Sequence, residues 1–419
     1  MSTAQASVEA AVAEAHRREW GFVLAATVRV AGDIDLAEEC VQDAYARALT
    51  AWPAIGIPRS PGAWLTTVAR RRALDLLRRK GTGERLEPLA AYPALAAEAS
   101  GSAEHSTAAG IPDDRLRLIF TCCHPALSPD ARVALTLRLV CGLATPEVAR
   151  AFLVSDTTMA ARITRAKKKI AAARIPYRVP HHDELPERLL AVLDVVHLVF
   201  TTGHTAPAGS DLTRGDLVEH AADLARMLAE LLPGDPDVEG LLALILLTDA
   251  RRPARVDEAG RLVLLADQDR AGWDRSRIEE GLGLVRRALS RRPPGRYPLM
   301  AAIAAVHSAA PRFEVTDWEE IVRLYDLLLA KWPSPVVALN RAVAIGFANG
   351  PAAGLAAMEP LTSEPALAGY SYLASARAEF LARLGRDGDA RLAYEEALML
   401  SENEVERDFL GGRLRALDG

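Results

Sequence analysis

Aromatic side chains are scarce in this 419-residue chain: Phe, Trp and Tyr together make up 5% of it. Strands draw on aromatic and β-branched residues, whereas Ala, Leu and Arg dominate here and favour helix. The fold class expected is all-α. Cysteine is equally thin, four residues in all, which excludes the disulfide framework of small secreted domains and leaves reduced thiols as the default. Long apolar runs are missing too. The most apolar stretch, LLALILLTDA from Leu241, falls far short of the roughly 20 residues a membrane-spanning helix needs. The first residues mix acids with bases and hold no apolar segment ending in a small-residue cleavage site. A cytoplasmic protein without membrane association is expected. No Gly-rich phosphate loop, nucleophile elbow or spaced metal-ligand set is visible. Neither an enzyme nor a cofactor is therefore expected.

What is present is a charge asymmetry. Up to Pro180, 24 Lys and Arg face 18 Asp and Glu; beyond it, 26 face 37. A basic front suggests a polyanionic partner, and an acidic back argues against nucleic acid there. Helical periodicity fills residues 7 to 80 and returns from 113 to 174. Between them Gly81 to Pro112, rich in Ala, Gly, Ser and Pro, reads as a flexible linker. After RIPYRVPHHDELPER a third helical section runs to the C-terminus.

Two basic helices carry the chemistry. In PGAWLTTVARRRALDLLRRK, Pro61 to Lys80, Leu65, Ala69, Ala73, Leu76 and Leu77 form one apolar arc, and Trp64, Thr67, Arg71 and Arg78 gather opposite. A solvated charged face is the plain alternative. An exposed Trp among arginines points instead to nucleic acid, since aromatics stack on unpaired bases while arginines hold phosphates. In LATPEVARAFLVSDTTMAARITRAKKKIAAA, Thr145 caps one helix and Ser155 the next. Met159, Ile163, Ala166 and Ile170 make an inward stripe, and Thr158, Arg162, Arg165 and Lys169 an outward one. That is a helix-turn-helix whose second helix fits a major groove. Two such helices separated by a linker suit a protein that reads two separated promoter elements.

The same residues resemble bacterial sigma factors of the extracytoplasmic-function type. GDIDLAEECVQDAYARALTAWP, Gly32 to Pro53, is similar to the region-two helix that docks on core RNA polymerase. The Pro61 to Lys80 helix resembles the one that recognises and opens the −10 element. LSPDARVALTLRLVCGLATPEVARAFLVSDTTMAARITRAKKKI resembles region four, which reads the −35 element. ARIPYRVP, LLALILLTDARRPARVD, LVLLADQDRAGWDR and PSPVVALNRAVA are similar to the subgroup with a long C-terminal extension of tetratricopeptide type.

The resemblance implies region two at residues 1–81, a linker at 82–112, region four at 113–178 and the extension at 179–419. It implies Glu38, Glu39, Gln42 and Asp43 at the polymerase contact. Trp64, Arg70, Arg71, Arg72, Arg78 and Arg79 would bind the −10 element; Thr158, Ala161, Arg162, Arg165, Lys168 and Lys169 would bind the −35 element. The partners implied are core RNA polymerase and promoter DNA, with a regulatory protein expected at the extension. This chain carries Arg71 where the wider family commonly has Asn, and Leu153 where the turn usually has Gly. The competing expectation is a DNA-binding repressor or adaptor that does not engage polymerase; it has no use for the Gly32 to Pro53 helix.

Three cysteines lie within FTCCHPALSPDARVALTLRLVCG. Helix geometry places Cys141 some 20 Å along the axis from Cys122 and Cys123 and turns these adjacent thiols about 100° apart. One shared zinc is thereby excluded, and at most one of the pair is expected in the core. PHHDEL, Pro180 to Leu185, is read as a lead into the next helix, and His197 as a packing histidine. In the C-terminal section, SPVVALNRAVAIGFANGPAAGLAAMEPL and AGYSYLASARAEFLARLGRDGDARLAYEEALML each read as helix, Gly turn, helix.

Overall fold

The computed structural model describes residues 3–81, 114–152, 154–181, 183–206 and 208–417. It is helical almost throughout. The one named strand pair among the described residues joins Ala208–Gly209 in parallel to Glu402–Asn403. No described helix is long and apolar enough to cross a membrane. The chain forms two compact units, Met1–Val195 and Val196–Gly419. The expected linker and Leu153 lie outside the described residues.

Unit 1 begins with three helices: α1 (Thr3–Ala31), α2 (Ile34–Ile55) and α3 (Pro61–Gly81). Asp33 starts α2 by accepting a hydrogen bond from Leu36 N at 2.8 Å, which satisfies an amide that has no partner within the helix. Trp20, Leu24, Ala37, Cys40, Ala44, Trp52, Leu65, Ala69 and Ala73 fill the space between the three. Small residues on the apolar arc of α3 let it sit close on α1.

The second part of unit 1 comprises α4 (Asp114–Cys122), α5 (Pro129–Leu135), α6 (Thr145–Ala151) and α7 (Asp156–Ala172). Ser128 and Pro129 start α5 as the sequence indicates, but the helix widens into a π-type turn over Thr136–Val140 and stops at Gly142, φ +77°. The left-handed backbone there suits glycine, and a Cβ on Gly142 would lie 2.7 Å from Trp20 Cγ. Glu147 caps α6 from within by accepting from Ala144 N at 2.6 Å. The helix thus starts after Ala144, and Thr145 is its first residue rather than its cap.

These helices pack on α1. Trp20 Nε1 donates to Leu139 O at 3.1 Å and Tyr177 Oη to Ala25 O at 2.8 Å. Arg29 pairs with Asp114 at 3.4 Å. Gly21 has no room for a side chain, because a Cβ would lie 2.5 Å from Val140 O.

Helix α8 (Leu185–His204) is followed by a succession of further helices. They are α9 (Gly215–Leu231), α10 (Pro236–Asp249), α11 (Arg275–Ser290), α12 (Arg296–Ala309), α13 (Trp318–Lys331), α14 (Pro335–Asn349), α15 (Pro351–Met358), α16 (Ser371–Arg383), α17 (Asp387–Leu400) and α18 (Glu404–Ala416). Helix α10 is the LLALILL stretch, buried on all sides, which explains its apolar run without a membrane. Both hairpins expected from the sequence are present. Gly350 (φ +93°) turns α14 into α15, and Gly385 (φ +71°) separates α16 from α17. Close approach within the first depends on Gly346 and Gly354, whose missing side chains make room for Phe380. Asn403, fully buried, ties the end of unit 2 to its beginning: Nδ2 donates to Ala206 O at 3.1 Å and Asp211 O at 2.9 Å, while Oδ1 caps α18 by accepting from Val405 N and Glu406 N. His197 packs edge-on against Tyr297, ring centroids 5.7 Å apart.

Candidate nucleic-acid interface

Helix α7 is built as its sequence implies. Ser155 Oγ accepts from Thr158 N at 3.2 Å, and Met159, Ile163, Ala166 and Ile170 are all buried. Burial of that stripe fixes the helix's rotation and leaves Thr158, Ala161, Arg165, Lys168 and Lys169 exposed. Arg162 differs: it is half-buried, pairs with Asp130 at 3.5 Å and lies over the Phe152 ring at 5.5 Å. Its guanidinium is therefore partly committed within the protein.

Helix α3 presents Arg71, Arg78 and Arg79 to solvent, with Arg70 half-buried. Arg72 turns inward and holds Asp43 of α2 at 2.9 Å, so two residues assigned to different partners also join α2 to α3. Trp64 is not the exposed aromatic expected. It is half-buried, edge-on to the core Trp52 with centroids 5.6 Å apart, because the short segment after α2 brings the start of α3 back over the end of α2. Ile55 and Ile57 beside it are exposed.

The acidic row on α2 meets region four of its own chain. Glu38 is buried and ion-paired to Arg138 at 2.8 Å and to Lys167; Lys167 also reaches Asp35 at 2.8 Å. A crevice runs between the two surfaces, with Asp35, Glu38, Glu39 and Gln42 on one wall and Arg138, Thr164 and Lys167 among those on the other. Burial alone would lower the Lys167 pKa; hydrogen bonds to Asp35 and Glu38 outweigh it and hold the ammonium above its ordinary value. Arg138 also lies over the Trp20 ring at 5.4 Å. Lys167 and Arg138 were invisible as site residues in the sequence, since Lys167 sits in a run of three lysines and its partners are 129 and 132 residues away.

The cysteines require two corrections. Cys122 and Cys123 are both buried, because the end of α4 is covered on more than one side. Cys123 Sγ lies 3.5 Å from Thr136 Oγ1, and Arg188 Nη2 donates to Phe120 O at 2.7 Å, so both sides of the segment are covered. Cys141 is also near enough to Cys122 for their charges to interact; α4 packs sideways on the 136–140 turn, which distance along one axis does not reveal. No group of three or more His, Cys, Asp and Glu able to hold a metal occurs among the described residues; His182 of PHHDEL lies outside them. Desolvation pushes the Cys122 thiol well up and the Cys123 thiol up to about 11. The thiolate is the reactive form. Iodoacetamide at pH 8 should therefore label half-buried Cys141 in the native protein, and Cys122 and Cys123 only after denaturation, as read by mass spectrometry of peptides. Native labelling of Cys122 or Cys123 at the Cys141 rate would contradict their burial.

Comparison with known proteins identifies the regions on which these helices lie. Residues 16–82 match Sigma-70 region 2, residues 117–170 match Sigma-70, region 4, and residues 188–289 match a Family of unknown function (DUF6596). The chain is 44% identical to Uncharacterized protein R00370 of Rhizobium meliloti (strain 1021) over 387 residues, 92% of this chain and 91% of that protein. It is 30% identical to Probable ECF RNA polymerase sigma factor SigI of Mycobacterium tuberculosis (strain CDC 1551 / Oshkosh) over 165 residues, 39% of this chain and 56% of that one. No solved structure matches. The two sigma regions, in this order and on these helices, define a promoter-recognition protein. The chain belongs to the extracytoplasmic-function RNA polymerase sigma factors, in the form that carries a long C-terminal extension. A repressor indifferent to polymerase is not favoured, because region two matches along with region four.

Proposed function

We propose that this sigma factor docks on core polymerase through the α2 row of Glu38, Glu39, Gln42 and Asp43. Trp64 and the arginines of α3 then engage the −10 element, and Thr158, Ala161, Arg162, Arg165, Lys168 and Lys169 of α7 the −35 element. Residues 1–81 and 113–178 act as the two sigma regions, 82–112 as their linker, and 179–419 as a domain that regulates activity or binds a regulatory protein. The free chain holds itself closed. One observation carries this reading: Glu38, the buried acid of the row proposed to meet polymerase, is already paired with Arg138 and Lys167 of region four. Polymerase and region four compete for one surface, so docking requires the two regions to part.

Promoter-dependent transcription with purified core polymerase tests the whole reading. RNA synthesis that requires the chain is the expected result, and failure to co-purify with core would refute it. Within region four, Arg165 is the better placed guanidinium for a bidentate contact to guanine, worth roughly 1–3 kcal/mol of discrimination, since Arg162 is held by Asp130. Arg165→Ala should cut the preference for the cognate −35 sequence over a scrambled one, whereas Lys169→Ala should weaken both alike. Equal losses on both sequences for Arg165→Ala, measured by gel shift at fixed salt, would remove it from base readout.

A further inference from the structure

Beyond residue 180 acids outnumber bases, yet at one place in unit 2 arginines outnumber the acids that pair with them. Helix α10 ends in Asp249, and the arginines around its end fall into two groups. Arg277 pairs with Asp249 and, at 3.2 Å, with Glu219; Arg252 reaches Glu219 at 2.6 Å and Asp249 at 3.1 Å. These two are neutralised. Arg251, Arg255 and Arg270 form no ion pair with a described residue. Glu406 and Asp249 act on Arg255, and Glu314 on Arg270, only through space.

Backbone carbonyls aim two of the three without discharging them. Arg270 Nη1 donates to His307 O at 2.7 Å and to Ala310 O, its plane lies 4.6 Å over Trp273, and its Nη2 is buried without a partner among the described residues. Arg255 donates to His204 O and, at 3.2 Å, to Thr205 Oγ1. Arg251 has no hydrogen-bond partner among the described residues. It keeps accessible surface but is enclosed enough that desolvation first, and then the charges of Arg255 and Arg270, bring its pKa down to about 10.

Two imidazoles adjoin the arginines. His204 and His307 each bury an Nδ1 that has no partner among the described residues. Desolvation, followed by the neighbouring arginines, holds both below their ordinary range, His307 at about 4; neutral near pH 7, each still offers one N–H. His307 is further fixed edge-on to Trp318, centroids 5.2 Å apart. An enclosed guanidinium lacking a counter-ion is costly, and this acid-rich half supplies acids to Arg252 and Arg277 next door but none to Arg251. The counter-charge is left for a ligand to bring.

We propose that Arg251, Arg255 and Arg270, with the imidazoles of His204 and His307, bind the dianionic phosphate group of a small ligand. Guanidinium forks match phosphate oxygens bidentately, and a dianion offsets more of the cluster's charge than a single carboxylate does. The site is independent of the promoter reading, and its test needs no polymerase.

Isothermal titration of the full chain with inorganic phosphate and phenyl phosphate, at constant ionic strength maintained with chloride, tests the proposal. Saturable binding is expected for both, with acetate at least tenfold weaker. Arg251→Gln should lose at least tenfold in phosphate affinity, while the exposed Arg261→Gln should lose none. Without phosphate, the Arg251→Gln protein should unfold at the wild-type temperature or above it, because removing an uncompensated cation relieves repulsion. Absence of saturable binding, acetate binding equal to phosphate, an unchanged affinity in Arg251→Gln, or marked destabilisation of that variant without phosphate would each overturn the assignment.

Discussion

Lys167→Glu should raise affinity for core polymerase by roughly tenfold to a hundredfold. In the closed unit the Lys167 side chain is 14% exposed and that of Glu38 7%, so the substitution removes one enclosed ion pair, and a second to the largely exposed Asp35, and sets a third carboxylate against Asp35 and Glu38. Breaking a buried pair costs about 3–5 kcal/mol. Once the regions part, all three acids are hydrated, and the cost falls on the closed form alone. A chain whose docking-competent state is a small fraction of the whole gains apparent affinity in proportion as that fraction approaches one, and each 1.4 kcal/mol is a factor of ten. The gain is therefore limited by the original closure energy rather than by the full penalty. Anisotropy of labelled protein titrated with core polymerase reads it, and Lys167→Gln should fall between wild type and Lys167→Glu. An unchanged or weaker affinity, with helical circular dichroism intact, would sink the closed-state reading. Lys167 lies outside the residues assigned to DNA, so the gain is not confounded by lost promoter contacts.

Asn403→Ala should destabilise the folded chain by about 3 kcal/mol. Loss of its Oδ1 uncaps α18, worth about 1 kcal/mol, and loss of its Nδ2 leaves the carbonyls of Ala206 and Asp211 without that donor in a buried setting, about 1 kcal/mol each at the low end. Asn403→Asp should cost less than Asn403→Ala at the cap but still lose the donor. Urea unfolding monitored by circular dichroism checks the loss, and limited proteolysis should release α18 first. A change under ~0.5 kcal/mol in Asn403→Ala would mean that the 206–211 segment is held without it.

Much of the fold was legible because local rules and packing agree. Ser155 caps where the sequence places a cap, Gly350 and Gly385 break helices where a left-handed turn is needed, and the Met159 to Ile170 stripe fixes which face of α7 is wet. Helix α10 was legible only as very apolar; its burial on all sides reflects helices contributed by distant segments. Apart from the one-residue shift of the Thr145 cap, the differences have one origin. Trp64, the second buried cysteine, the Cys122–Cys141 proximity and the commitment of Arg162 all depend on what lies across from a residue. Periodicity reports direction around a helix and says nothing of what stands there.

By itself the sequence determined the helical class, the order of the two basic helices, their apolar faces and the hairpins of the second half, since each depends on spacing within one or two turns of helix. Only the tertiary structure decided that α2 meets α7 through Glu38 and Lys167, that Asn403 closes the end of unit 2 on its beginning, and that Arg251, Arg255 and Arg270 stand near one another with no ion pair to a described acid. Those are pairings of charge across long sequence separation. Coulomb and hydrogen-bond energies depend on distance in space, which the chain sets only when it folds.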